Sequence, residues 1–220
     1  ESEPLFLLRD AVNQRAADLR AGRIGRVRIA STAEISEAVL PRVIADYARQ
    51  YPQIQISLET RPLDSVLQVV ENGLADVAFV ISAYDRQSLD FDLVAVLRAV
   101  CICPQDHPLA QLESVTPRDL DGHPLIGPRT ANRVGMMIAE GFNEAGREYQ
   151  PSIETRFMNA AARIVGEGWG VAVVDELSAH TALRPGLTVR PFQSNLRFNL
   201  VAATPKTKAP SRQCKRIIRA

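Results

Sequence analysis

What this sequence lacks narrows it first. None of G-x-S-x-G, H-E-x-x-H, G-x-x-x-x-G-K or a paired C-x-x-C occurs in its 220 residues, which removes the common nucleophile, zinc and P-loop chemistries. The three histidines, His107, His123 and His180, stand beside Pro108, Pro124 and Thr181 with no i,i+4 pairing. They read as turn or surface residues rather than ligands or proton carriers. Cysteine is scarce and odd in number: Cys101, Cys103 and Cys214, the first two inside the apolar run Val100-Cys101-Ile102-Cys103. That spacing suits buried reduced thiols, not a metal, and no cation adjoins them in sequence to make a redox-active thiolate. No apolar stretch reaches the roughly 20 residues a bilayer requires, and the N-terminus lacks the n-region, h-region and cleavage pattern of a signal peptide. A cytoplasmic protein without cofactor or metal is the expectation. Charge of one sign is also missing: 26 Lys and Arg face 25 Asp and Glu, net +1. No stretch is basic enough to suggest a phosphate-neutralising groove, so the chain by itself should bind DNA poorly. The one glycine-rich element, Gly166-Glu167-Gly168-Trp169-Gly170, follows a helix and precedes a strand. This is the reverse of a dinucleotide fingerprint and reads as a helix stop.

What is present is an ordered alternation. Leu5, Leu8, Val12, Ala16 and Leu19 form one apolar stripe before Gly22 and Gly25, which predicts a helix over residues 1–22. It either packs on its own domain or pairs with a helix of another chain, and because the chain starts without methionine inside it, a longer protein is expected. Strands at 27–30, 54–58 and 75–80 then alternate with helices at 34–49 and 63–71, and an extended region spans 93–103. This pattern argues for an α/β fold with parallel sheets. Past Pro104 the grammar restarts: a short helix at 117–120, strands at 125–126, 152–157 and 171–174, and helices at 133–144 and 159–166. VVENGLADVAFV and IVGEGWGVAVVD repeat one phrase, a helix end, a glycine stop and a buried strand, so two similar Rossmann-like lobes are predicted. Strands at 187–191 and 198–203 and the basic helix 211–219 close the chain. Subdomain I is expected over 23–103 and 198–220, and subdomain II over 104–197. Two crossings join them, making a hinge with a cleft beneath it.

Polar residues where strands give way to helices are the candidate binding groups, because helix N–H groups and strand carboxyl ends favour anionic ligands. Ser31 and Thr32 follow VRIA and precede a helix; their hydroxyls either cap it or bind a carboxylate with it. Arg129 and Thr130 follow Leu125-Ile126 in the second lobe. The guanidinium is either a solvated loop charge or a carboxylate clamp. Asn159 opens the helix after IETRF, and Asp175 follows VAVV as either a helix N-cap or an anionic partner for a ligand cation.

The segments GRVRIAST, LPRVIADYARQYPQIQISL, VLQVVENGLADVAFV, CPQDHPLA, VTPRDLDGHPLI and IVGEGWGVAVVDELSA, in this order over nearly the whole chain, resemble the effector-binding domain of LysR-type transcriptional regulators. The resemblance implies a fold like type II periplasmic binding proteins, a small-molecule effector between the lobes, and a homodimer of antiparallel effector domains, tetrameric in the full-length protein. DNA would be contacted through a winged helix-turn-helix domain preceding Glu1, and no enzymatic activity is implied. The family's ligand positions match Ser31, Thr32, Ser82, Arg129, Thr130, Asn159 and Asp175; many members have threonine or serine where this chain has Asn159. VTPRDLDG and Val189-Arg190-Pro191-Phe192 look similar to opine- and amino-acid-responsive members, which points to a zwitterionic, amino-acid-like effector. A periplasmic solute-binding protein or an enzyme on the same bilobal fold are the competing readings.

Overall fold

The structure is a computed structural model that describes residues 25–81 and 85–220. The expected helix over 1–22 and the candidate Ser82 lie outside the described residues. The chain divides into two compact units, one running to Val94 and resumed by Leu200–Ala220, the other Ala95–Asn199. The chain passes between them twice, within strand β4 (Leu89–Pro104) and within β9 (Arg197–Pro205).

In the first unit, β1 (Arg26–Ser31) pairs in parallel with both β2 (Gln55–Thr60) and β3 (Val77–Ile81), and β9 runs antiparallel to β3. The five residues of β3, Val77-Ala78-Phe79-Val80-Ile81, are apolar throughout and all buried, as befits a strand with neighbours on both edges and covered faces. Helix α3 (Leu63–Glu71) follows β2. Its Val66, Leu67, Val69 and Val70 join Ala30, Ala78, Val80, Leu89 and Ala203 in one apolar cluster. The helix stops at Asn72-Gly73, where Gly73 takes φ +66°, a left-handed conformation natural only to glycine. Arg28 on β1 holds Asp76 at the entry to β3, Nη2 to Oδ1 2.8 Å.

The single helix expected over 34–49 is two: α1 (Ala33–Ala38) and α2 (Leu40–Gln50), broken at Val39. Pro41 is the cause. It has no N–H for the carbonyl one turn back and restricts the residue before it, so it is accommodated in the first turn of a new helix rather than in the interior of an old one.

In the second unit β4 is flanked by β7 (Ala172–Asp175) and β8 (Leu187–Pro191), both antiparallel, with Cys101 opposite Val173 on one side and Arg190 on the other. Residues 95–103, expected in the first subdomain, therefore belong with the second. The 16-residue strand shows no break at its boundary, and hydrogen-bond partners alone assign its later half. Strand β5 (Ile126–Pro128) pairs in parallel with β6 (Ile153–Thr155), and a bridge from Leu125 to Val171 sets β5 parallel to β7. Helices α4 (Arg133–Glu144), α5 (Met158–Gly166) and α6 (Glu176–Ala182) follow β5, β6 and β7 in turn. A last helix, α7 (Arg212–Ile218), returns to the first unit.

The three cysteines are buried and free. Burial pushes the Cys214 thiol up to about 11, helped by Asp76 and opposed by Lys208, so it stays protonated and unreactive at neutral pH.

Candidate functional site

In the first unit the parallel strands β1 and β2 end together, Ser31 in register with Thr60. Ser31 is fully buried and its hydroxyl donates to the carbonyls of Phe79 (3.0 Å) and Thr32 (3.1 Å). It is spent on holding β1 to β3. Thr32 differs. It is the N-cap of α1, yet its side chain makes no cap bond; it is 7 % exposed, and Oγ1 has no hydrogen-bond partner among the described residues. A buried hydroxyl without a partner forfeits about 1–3 kcal/mol, which a ligand oxygen would restore. Thr60 donates to Ser36 Oγ at 2.9 Å, and the N–H of Arg61 donates to the Ser31 carbonyl at 3.0 Å, closing the corner from the β2 side.

In the second unit the carboxyl ends of the parallel strands gather Arg129, Thr130, Asn159 and Asp175 on one edge, as the βα order requires. Their roles separate. Asp175 is fully buried, and as N-cap of α6 its Oδ1 accepts from the N–H groups of Leu177 and Ser178, both 2.9 Å. Its Oδ2 accepts from the Ser178 hydroxyl at 2.5 Å. Burial pushes this carboxyl up, and the bonds from Ser178 and Leu177 pull the other way. Of the two roles left open for Asp175, the structure shows the cap. Asn159 is buried in the first turn of α5, one residue past Met158.

Arg129 is a solvent-facing loop charge: 69 % of its side chain is exposed, and Nε donates to Glu154 at 2.6 Å. Thr130 is exposed as well. The N-cap of α4 is Asn132, whose side chain accepts from the Gly135 N–H at 2.8 Å. The loop is built to close tolerances that sequence reading passed over. A Cβ at Gly135 would collide with the Arg129 carbonyl, and one at Gly127 with the Tyr149 hydroxyl. That hydroxyl donates to the Pro128 carbonyl at 3.2 Å. Small residues are thus obligatory on both flanks of Arg129. The only trace in the sequence is a glycine in the first turn of an otherwise ordinary helix.

Of the histidines expected at turns, His107 and His123 sit at bends, whereas His180 lies within helix α6; His107 and His123 pack edge to face, ring centroids 4.6 Å apart. His107 Nδ1 accepts from the Leu109 N–H at 3.2 Å, capping a 3-10 turn at Pro108–Gln111. Among the described residues, no group of three or more His, Cys, Asp or Glu is placed to hold a metal ion, and no helix is long and apolar enough to cross a membrane.

Two α/β units, each with polar side chains at the carboxyl ends of parallel strands, define a small-molecule-binding module. The family model described as the LysR substrate binding domain matches residues 20–220, and the chain belongs to that family. It is 26 % identical over 211 residues to the octopine catabolism/uptake operon regulatory protein OccR of Rhizobium meliloti, covering 96 % of this chain and 69 % of that protein. Its fold is similar to the BenM effector binding domain with benzoate (TM-score 0.77, 19 % identity, 89 % of this chain and 91 % of that one). It is also similar to the cofactor-binding domain of the Cbl transcriptional regulator (TM-score 0.79, 19 % identity, 88 % and 86 %). The fold is the mixed α/β, type II periplasmic-binding-protein-like fold of LysR effector-binding domains, and these relatives are parts of transcriptional regulators, not enzymes.

Proposed function

We propose that this effector-binding domain of a LysR-type regulator senses a small organic carboxylate of amino-acid-derived type; the candidate contact in the first unit is the corner at Thr32, and the second unit, taken by itself, offers the loop at Arg129-Thr130. The observation that carries this reading is the buried Thr32 hydroxyl at the end of a parallel strand, without a partner among the described residues. A polar group is retained there at a cost to the empty protein, which bound ligand would relieve. Arg129 supplies the countercharge: a carboxylate competes with Glu154 for a guanidinium that is already at the surface and so loses little on binding. The amino-acid character is supported by the relative named for octopine catabolism. Asp175 has no part in it, since both its oxygens are engaged in the cap, and the ammonium of such a ligand is left to solvent or to other groups. Regulation follows if the effector favours one arrangement of the regulator over another, by as much as its affinities for the two differ.

Calorimetry against octopine, arginine, lysine, glutamate, benzoate and neutral amides tests this. Carboxylates bind and amides do not, and Thr32→Val and Arg129→Ala each weaken binding. Binding confined to neutral compounds, or a ligand indifferent to both substitutions, overturns the reading.

A further inference from the structure

The near-zero net charge hides one uncompensated surface. From Lys206 to Ala220 the chain carries Lys206, Lys208, Arg212, Lys215, Arg216 and Arg219 and no aspartate or glutamate. Helix α7 sorts the last four onto one face, at i, i+3, i+4 and i+7, while Cys214 and Ile217 between them are buried. Those four side chains and Pro210 line an open groove of about 420 Å³. Arg216 is held in place, its guanidinium 4.6 Å from the centre of the Tyr51 ring, which itself packs on Tyr47 at 4.8 Å. Arg212, Lys215 and Arg219 are exposed and make no ion pair among the described residues.

From this arrangement we infer that the α7 face is a docking surface for the phosphate backbone of duplex DNA, separate from the effector site and independent of base sequence. Four cations over seven residue steps cover roughly 10 Å of helix. Each strand of B-DNA presents a charge about every 3.4 Å of axis, so the stripe spans about three phosphate spacings and can meet about four phosphates. The lining favours nucleic acid over an acidic protein segment. A protein partner needs an aromatic or aliphatic anchor in a pocket, and beyond Pro210 this groove offers only charge. A phosphodiester backbone needs nothing more. DNA contact is thereby not confined to a separate reading domain. The effector domain adds a salt-sensitive hold of its own, too weak and unspecific to select an operator.

The experiment is fluorescence anisotropy of a labelled 20-base-pair duplex of arbitrary sequence, titrated with the full 220-residue chain at rising salt. Four phosphate contacts give a slope of log affinity on log salt of about −3 to −4, roughly a 100-fold loss between 50 and 200 mM. The combined Arg212→Gln, Lys215→Gln and Arg219→Gln variant, with Arg216 left on its tyrosine, brings the slope to about −1 and weakens binding at 50 mM salt at least tenfold. Lys215→Glu alone gives a smaller loss in the same direction, should the triple variant fold poorly. Neutralising Arg118 and Arg133 in the second unit leaves binding unchanged. No binding at 50 mM salt, equal binding by the wild type and both α7 variants, or tighter binding of an octaglutamate peptide than of the duplex each overturns the inference.

Discussion

Thr32 and Asp175 occupy the same place in their two units. Each stands at the carboxyl end of a strand, each is the N-cap of the helix that follows, and each is buried. Asp175 makes three hydrogen bonds with its two oxygens; the Thr32 hydroxyl makes none among the described residues. The difference separates structure from function. A polar side chain at the mouth of a helix stabilises the protein when the helix uses it, and becomes a binding group when it is left unsatisfied. Residue type does not distinguish the cases, since serine, threonine and aspartate are all good N-caps. Hydrogen-bond accounting does.

The largest expected effect breaks the comparison from the Asp175 side. Asp175→Ala removes a cap and strands the Ser178 hydroxyl in the interior, and should cost about 2–4 kcal/mol in urea unfolding. Asp175→Asn retains an acceptor for the two N–H groups, costs about 1 kcal/mol, and leaves effector affinity as it was. If Asp175→Asn instead abolishes binding while stability holds, the carboxylate serves the ligand after all and the two positions are alike.

Next in size is Arg129→Ala. Its bond to Glu154 lies at the surface, so stability moves by less than about 0.5 kcal/mol. Effector affinity falls about ten- to a hundredfold by calorimetry, as loss of a charge-assisted bond would give. Thr32→Val follows: affinity drops about tenfold, while the urea midpoint stays or rises because an unsatisfied hydroxyl is gone. A destabilised Thr32→Val protein would show that the hydroxyl already has a structural partner.

The smallest effect comes from a third cap, His107. Burial and then the neighbouring His123 lower its pKa below the ordinary 6.5, against Asp106. The folded state thus favours the neutral ring, whose Nδ1 accepts the Leu109 N–H. The unfolded chain takes up the proton first, so stability is constant above about 6.5 and declines as pH falls below it. Melting temperatures from pH 7.5 to 5.5 should show this slope in the wild type and a shallower one in His107→Gln.

Much of this molecule was legible in advance because its signals are local. The helices at 63–71 and 133–144 and the strand at 187–191 fall where apolar periodicity and stop residues put them. The polar corners at Ser31-Thr32, Arg129-Thr130, Asn159 and Asp175 lie at strand carboxyl ends because βα order leaves them nowhere else. The break at Val39 was visible too, in Pro41, but the surrounding helical pattern outweighed it.

By itself, then, the sequence determined the alternation of strands and helices and the family resemblance, each a matter of periodicity and turn chemistry within a few residues. Tertiary structure decided what depends on atoms distant along the chain. It assigned residues 95–103 to the second unit, 99–103 of them through pairing with β7 and β8, and made Gly127 and Gly135 indispensable through Tyr149 and the Arg129 carbonyl. It also set Arg216 on Tyr51, leaving a cationic face that a net charge of +1 conceals. Above all it decided which of two buried caps is satisfied, because a hydrogen bond needs its donor and acceptor within about 3 Å in space and is indifferent to their separation in sequence.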